Sequence, residues 1–191
     1  FKQKTAYEIS TRDWSSDVCS SDLLHAEETD AARLLAQHTF ERWKNIRIHY
    51  TNSPGSHLVG RLGEFAAFIW LKQNGFDPFP YFLDFDQERA CDIDTKIGRI
   101  EVKTWKGIHW DDLGRAVAVR QYPSICKKAD WILFCSVDDI ESQTPFVQFR
   151  GWVGVDEVGK VEPKYTGSMQ IHNYQLANES LKDIDLFKEM L

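Results

Sequence analysis

A short stretch at residues 91–103, CDIDTKIGRIEVK, constrains the fold of this chain more than any other. Apolar and charged residues alternate on both sides of a turn that ends at Gly98, and this pattern predicts two short strands. Gly98 suits such a turn because glycine tolerates positive φ. Side chains alternate across a strand, so Glu101 and Lys103 share one face while Val102 takes the other. The stretch therefore predicts a hairpin that gathers charged groups on otherwise apolar strands.

The residue types in this hairpin fit metal-dependent phosphodiester hydrolysis. Mg²⁺ takes hard oxygen ligands and is often held by only one or two carboxylates. A bound metal lowers the pKa of its water, and a nearby ammonium stabilises developing negative charge. Asp92 and Glu101 would be the metal ligands, the Val102 carbonyl a further ligand, and Lys103 the cation. Asp94 shares the face of Asp92 and is treated as a supporting or surface residue.

A helix is predicted just before the hairpin, from about residue 57 to 74, between a break at 52–56 and Gly75. Small residues recur along it and would let its backbone lie close to a sheet: Gly60, Gly63, Ala66 and Ala67. Glu64 lies among them rather than on an obvious polar face. It is either a surface carboxylate paired with Arg61 or a carboxylate aimed into a site, and the neighbouring hairpin favours the second interpretation.

Asp92, followed after eight residues by Glu101-Val102-Lys103, resembles the D…(D/E)xK signature of the PD-(D/E)xK, or restriction-endonuclease-like, nuclease superfamily. The residue before Asp92 is Cys91, where the signature has proline. The resemblance covers a core at about 57–154. It implies an α/β fold with an αβββαβ core, in which helices flank a central mixed sheet.

The same resemblance implies a function. It implies an endonuclease that uses Mg²⁺, or Mn²⁺ in its place, with Glu64 as a further catalytic and metal-binding carboxylate. DNA is the substrate that it favours over RNA, and it allows a homodimer. The biological setting (restriction, repair, recombination or a phage) is left open. The alternative is an inactive nucleic-acid-binding or protein-interaction module on the same fold.

Aromatic, basic and polar residues that follow the hairpin predict a surface for phosphates and bases. The residues in question are Trp105, Lys106, His109, Arg115 and Gln121. The other interpretation is that the tryptophans here pack in the core or at its rim, and that His109 is solvated in a loop. Both interpretations stay open at the level of sequence.

The remaining pattern completes a single domain. A continuous apolar run at 129–137 predicts a strand buried on both faces, and 146–155 predicts a partner strand with a bend or bulge at its glycines. A helix is expected at 28–44, capped by Thr29 or Asp30, and a terminal helix at 181–191 that packs through Leu186 and its neighbours Phe187 and Met190. Residues 160–180 are expected to be rich in loops.

Residues 1–23 differ from the rest of the chain. They lack apolar periodicity, and two parts, KQKTAYEI and DWSSDVCSSDL, resemble translated short-read sequencing adapters in their own order and frame. We therefore expect a non-native, disordered segment at 1–23 and a single domain at 24–191.

Composition supports a globular protein that is not embedded in a membrane. Hydrophobic residues make up 42% of the chain, and no apolar run is long enough to cross a bilayer. The net charge of −6 excludes a global basic footprint, so any contact with nucleic acid must be local. The four cysteines have no CxxC spacing, which favours reduced thiols and a cytoplasmic location.

Overall fold

The computed structural model describes residues 24–44, 53–84 and 90–191. The adapter-like segment at 1–23 lies outside these ranges, so its predicted disorder is not described. The described helices are α1 Ala26–Trp43, α2 Pro54–Gln73, α3 Trp110–Leu113, α4 Tyr122–Lys128, α5 Val155–Val158 and α6 Ile184–Lys188. The strands are β1 Phe79–Pro80, β2 Ile93–Thr95, β3 Gly98–Lys106, β4 Ala116–Ala118, β5 Trp131–Asp138, β6 Phe146–Gly154, β7 Lys164–Thr166 and β8 Ile171–Gln175.

A mixed five-stranded sheet organises the chain, in the order β1-β2-β3-β5-β6. β3 and β5 are parallel, with Ile100 opposite Trp131, and the other neighbouring pairs are antiparallel. Parallel strands need a crossover connection, and α4 lies within the connection from β3 to β5. The arrangement of sheet and helices confirms the predicted α/β class.

The two faces of this sheet carry separate hydrophobic clusters. Ile100 and Val102 of β3 belong to the cluster that contains α1 and α2, whereas Ile132 and Phe134 of β5 belong to the cluster with Ile125 of α4. β5 contributes to both, as expected for a strand buried on both faces. The sheet is therefore covered by helices on each side, and β3 lies at its centre.

Helix α2 approaches β3 very closely at Gly63. A Cβ atom placed on Gly63 would lie 1.8 Å from Oγ1 of Thr104. At Gly63, the run of small residues therefore lets the backbone of α2 lie close to the sheet, as the sequence predicts. The first turn of α2 is held by a capping box in which Ser53 and Ser56 exchange side-chain-to-backbone hydrogen bonds.

The turn and bulge predictions are confirmed. Gly98 has φ +128° in the turn between β2 and β3. Gly151 has φ +130°, and the register between β5 and β6 shifts beside it, between Phe134 and Cys135. A positive φ explains why glycine is needed at both positions.

Two expectations about local structure are wrong, and a second sheet was not predicted. Residues 160–180 are not simply loop, because β7 and β8 join β4 in a second sheet of order β4-β8-β7. Helix α1 begins at Ala26, after His25, so neither Thr29 nor Asp30 caps it. Helix α6 is shorter than expected; its Phe187 is buried, but Leu186 is 45% exposed and does not anchor it. None of the helices in the described ranges combines the length and hydropathy that a bilayer-spanning segment needs.

Candidate functional site

The site begins where β3 continues beyond the end of β2. Pairing between these strands runs from Thr95 and Gly98 to Ile93 and Ile100. Just beyond it, the backbone N–H of Asp92 donates to the carbonyl of Ile100 at 3.1 Å. The next bond is made by a side chain, since Asp92 Oδ2 accepts from the backbone N–H of Val102 at 2.7 Å. Asp92 is therefore fixed against the edge of β3.

The Val102 carbonyl lies on the same side of β3 as Asp92. Within a strand, the N–H and C=O of one residue point toward the same neighbour. The Val102 N–H points at Asp92, so its carbonyl faces that side as well. This orientation agrees with the predicted use of the Val102 oxygen beside Asp92.

Glu101 is buried and paired with two lysines. Its carboxylate is 6% exposed, with Lys103 Nζ at 2.6 Å from Oε1 and Lys128 Nζ at 2.6 Å from Oε2. Burial opposes ionisation, but the two ammonium groups outweigh it and lower the pKa of Glu101. Lys103 comes from β3 itself, and Lys128 is the last residue of α4. Glu101 is thus an ionised carboxylate held between two elements.

Glu64 lies on α2 and is paired with Arg61, one helical turn before it, at 2.5 Å. Arg61 also donates to the carbonyl of Phe82 and to the hydroxyl of Thr39. Burial raises the pKa of Glu64, and the charge of Glu101 adds to that effect, while Arg61 opposes it. Both sequence interpretations of Glu64 therefore hold in part, because it is paired with Arg61 and also lies within the field of Glu101.

Asp92 completes the group of carboxylates. Burial and then the negative charges of Glu101 and Glu64 raise the pKa of Asp92 to about 8, against the opposing charges of Lys128 and Lys103. Each of these side chains is close enough to act on the ionisation of Asp92. The structure thus brings together all four residues predicted to be catalytic, and adds Arg61 and Lys128.

A divalent metal can be tested against this donor set. In the described ranges, no three acidic, histidine or cysteine side chains are arranged as a ready metal site. Mg²⁺ does not require three, because it commonly uses one or two carboxylates and keeps several waters. Asp92 and Glu101, with the Val102 carbonyl, supply the all-oxygen set that this ion prefers. Lysines lie against both oxygens of Glu101 and Arg61 against one oxygen of Glu64, so a metal must displace a cation at either carboxylate.

Residues of this site line two pockets. A pocket of about 200 Å³, the carboxylate pocket, is lined by Glu64, Asp92 and Lys128 among others. A larger pocket of about 480 Å³, the basic pocket, is lined by Lys103 and by the start of α2. Asp94 lines neither of them, which agrees with the sequence preference for Asp92 over Asp94.

Four of the five residues predicted to contact nucleic acid line the basic pocket: Trp105, Lys106, His109 and Gln121. Lys106 and His109 are exposed, whereas Trp105 and Gln121 are half-buried. The core-packing alternative holds for the second tryptophan of this region, since Trp110 is buried in the cluster with α4.

Arg115 is the exception among the five. It is 9% exposed, and its guanidinium donates to the backbone carbonyls of Leu176, Trp110 and Asp111. These bonds tie the loop after α3 to the end of β8. The predicted nucleic-acid contact is therefore wrong for Arg115, because its donors are used inside the protein.

Sequence reasoning allows Lys128 a contact with backbone phosphate but does not place it beside Glu101. The only local signal is the pair Lys127-Lys128 at the end of a short helix, which also fits a solvated helix terminus. The sequence suggests Arg61 only as a helix partner of Glu64, although it reaches Phe82 and Thr39 as well.

Comparison of this chain with protein-family models, with curated proteins and with solved structures gave no match in any of the three.

Proposed function

We propose that this protein is a Mg²⁺-dependent nuclease that hydrolyses phosphodiester bonds in DNA. The observation that carries the proposal is the convergence of Asp92, Glu101 and Lys103 at the open edge of β3, with Glu64 beside them. A buried group of carboxylates with an adjacent ammonium is costly to maintain, and perturbed ionisable groups concentrate at functional sites.

The order of elements supports the same proposal. Helix α2, strands β1 to β3, helix α4 and strand β5 follow one another along the chain. This order is compatible with the αβββαβ succession that the sequence resemblance implies, and the site residues fall on α2, on the hairpin of β2 and β3, and at the end of α4. Between β3 and α4 the chain inserts α3 and β4, which carry part of the basic pocket.

Each side chain has a defined task in this proposal. Asp92 and Glu101 would hold the ion, with the Val102 carbonyl as a further oxygen ligand. When bound, Mg²⁺ would polarise the phosphate and make a coordinated water more acidic. Lys103, which lines the basic pocket, would orient the attacking water or stabilise the charge that develops on the phosphate. Arg61 holds Glu64 beside the site and partly offsets the rise of its pKa on burial.

The experiment is cleavage of plasmid and oligonucleotide DNA with Mg²⁺ or Mn²⁺, and with EDTA. We expect cutting only with metal, and a loss of at least about 100-fold in Asp92→Asn and in Lys103→Met. Asp94→Asn is the matched control, because it makes the same change two residues away without touching either pocket. Calorimetric titration with Mn²⁺ gives an independent readout, in which Asp92→Asn weakens binding and Asp94→Asn does not.

An inactive binding module is the second candidate, and one contact favours it. Both oxygens of Glu101 already lie 2.6 Å from a lysine ammonium, so a metal must compete with Lys103 or Lys128 for them. DNA binding without cleavage under any of the metal conditions would support this candidate. Equal cleavage by wild type and Lys103→Met would instead show that the catalytic assignment is wrong.

A further inference from the structure

The basic pocket differs in charge from the protein as a whole. The chain carries a net charge of −6, yet none of the described residues that line this pocket is acidic. Its wall includes Lys103, Lys106, Arg120 and His109. The amino-terminal end of α2 also lines it, and a helix amino terminus carries partial positive charge. The pocket is therefore built for an anion.

The same pocket is also partly apolar and of suitable size for more than a phosphate. Its volume of about 480 Å³ lies within the range of small-molecule sites, about 300–1,000 Å³. Val59, Trp105 and Ile171 contribute apolar and aromatic surface beside the cations. Sites for single-stranded nucleic acid combine these two properties, with cations for the backbone and an aromatic or apolar wall for the bases.

The pocket is adjacent to the proposed chemistry through Lys103. This side chain lines the basic pocket, while its Nζ lies 2.6 Å from Glu101. A phosphate that contacts Lys103 from the pocket would therefore lie next to the carboxylates. A nucleotide in the pocket would belong to the same strand as the phosphate that is cut.

We infer that the basic pocket binds an unpaired nucleotide of the substrate strand, so that this protein acts on single-stranded or frayed DNA. The inference rests on the proposed nuclease function and names its substrate class. A base within a duplex is stacked and paired, and it reaches a concave pocket only by being extruded at a free-energy cost. An unpaired strand enters without that cost.

The test measures binding apart from cleavage. Fluorescence anisotropy with a labelled oligothymidine and with a blunt hairpin duplex, both in EDTA, gives affinities for the wild-type protein without metal-dependent cutting. We expect the single strand to bind at least about tenfold more tightly than the duplex. Ala118→Phe, which fills the pocket from β4, should reduce single-strand binding at an unchanged melting temperature.

A pair of matched charge variants tests the contact with phosphate. Lys106 lines the pocket at one end of β3, and Lys96 lies in the turn at its other end, about 25 Å away along the strand. Lys106→Ala should weaken single-strand binding several-fold and reduce the slope of log K against log salt by about 0.7. Lys96→Ala should change neither quantity.

The outcomes separate this inference from the proposed function. If DNA is never cut but the single-strand preference and the effect of Lys106→Ala are found, the pocket inference stands and the cleavage proposal falls. If the duplex binds as tightly as the single strand, or if Lys106→Ala and Lys96→Ala behave alike, the pocket inference is overturned even when DNA is cut.

Discussion

Replacing Gly63 by alanine should destabilise the protein, although alanine is the better helix former. The added Cβ would lie 1.8 Å from Thr104 Oγ1, which is 1.2 Å short of the 3.0 Å that real Cβ atoms keep. Overpacking of this kind costs about 1–3 kcal/mol, and the gain in helix propensity returns about 1 kcal/mol. We expect a net loss of up to about 2 kcal/mol and a melting temperature lowered by up to about 8 °C.

The same substitution should reduce activity, because of what lies beside the contact. Gly63 precedes Glu64 on α2, and Thr104 follows Lys103 on β3. Pushing α2 away from β3 by more than 1 Å therefore separates the helix carboxylate from the strand ammonium. A displacement of this size at a catalytic site lowers the rate by about 100-fold, measured here as DNA cleavage with Mg²⁺.

Two further variants make the reasoning testable. Gly60 lies one turn earlier on α2, and a Cβ placed there meets nothing within 4 Å. Gly60→Ala should therefore raise stability by about 1 kcal/mol. Thr104→Ala removes two of the three atoms that crowd Gly63, so the double variant should recover part of the loss, with a coupling energy of about 0.5–3 kcal/mol.

Thermal and urea unfolding followed by circular dichroism would measure the stability of the four variants beside the wild type. The packing argument is refuted if Gly63→Ala is as stable as Gly60→Ala, or if Thr104→Ala and Gly63→Ala are simply additive. An unchanged cleavage rate in a destabilised Gly63→Ala protein would refute only the link between this contact and the site.

Three smaller predictions concern stability and reactivity. Hydrogen bonds from Arg99 lower the pKa of Asp130 in the folded protein. The pair therefore stabilises the fold fully at pH values above the ordinary carboxyl pKa near 3.9. This contribution is lost as the pH falls through the lower pKa of the folded state. Asp130→Asn should therefore cost less than about 1 kcal/mol at pH 7, and the cost should fall as the pH is lowered toward 2. The Gln175 amide is buried without a hydrogen-bond partner among the described residues, so Gln175→Met should raise stability by about 1 kcal/mol and the melting temperature by about 3 °C. Cys126 is exposed, so in a Cys19→Ser background we expect one fast-reacting thiol in a colorimetric thiol assay at pH 8.

Each of these has a result that would contradict it. A stability difference between wild type and Asp130→Asn that stays constant from pH 7 to pH 2 would exclude the ion pair as its source. The gain in stability from Gln175→Met must exceed that from Gln73→Met, because Gln73 is exposed. More than one fast thiol would mean that the buried Cys91 or Cys135 opens readily, although burial raises the pKa of both.

The hairpin at 91–103 was predictable because its information is local. Period-two alternation and a glycine at the turn define both strands within a few residues of chain. Asp92 and Glu101 lie on the same hairpin, so their proximity follows from its register. Glu64 was also accessible to sequence reasoning, since a charged residue on a helix face of glycine and alanine requires an explanation.

Lys128 could not be placed in the site from sequence, because its contact depends on register between distant strands. It comes 27 residues after Glu101 and three before the start of β5. Only the parallel pairing of β3 with β5, which sets Ile132 opposite Glu101, brings the end of α4 to the carboxylate. Nothing within the helix encodes that register.

The second sheet and Arg115 escaped prediction for a related reason. β4, β7 and β8 have three to five residues each, too few to show a clear period. Arg115 follows a glycine in a polar stretch and looks like a surface cation. Its burial depends on carbonyls that include Leu176, which lies far along the chain. Short strands and buried cations are determined by tertiary neighbours rather than by local pattern.

The open edge of β3 affects how the proposed activity could be lost in evolution. A strand edge with an unsatisfied N–H invites pairing with another chain, and proteins commonly guard such edges with charged residues. At this edge of β3, the Asp92 carboxylate accepts a hydrogen bond from the Val102 N–H and so satisfies it. A mutation to alanine would disable the site and uncover the edge together, whereas asparagine would leave an acceptor in place. Inactive descendants of this protein should therefore keep asparagine or another acceptor at position 92 more often than an apolar residue.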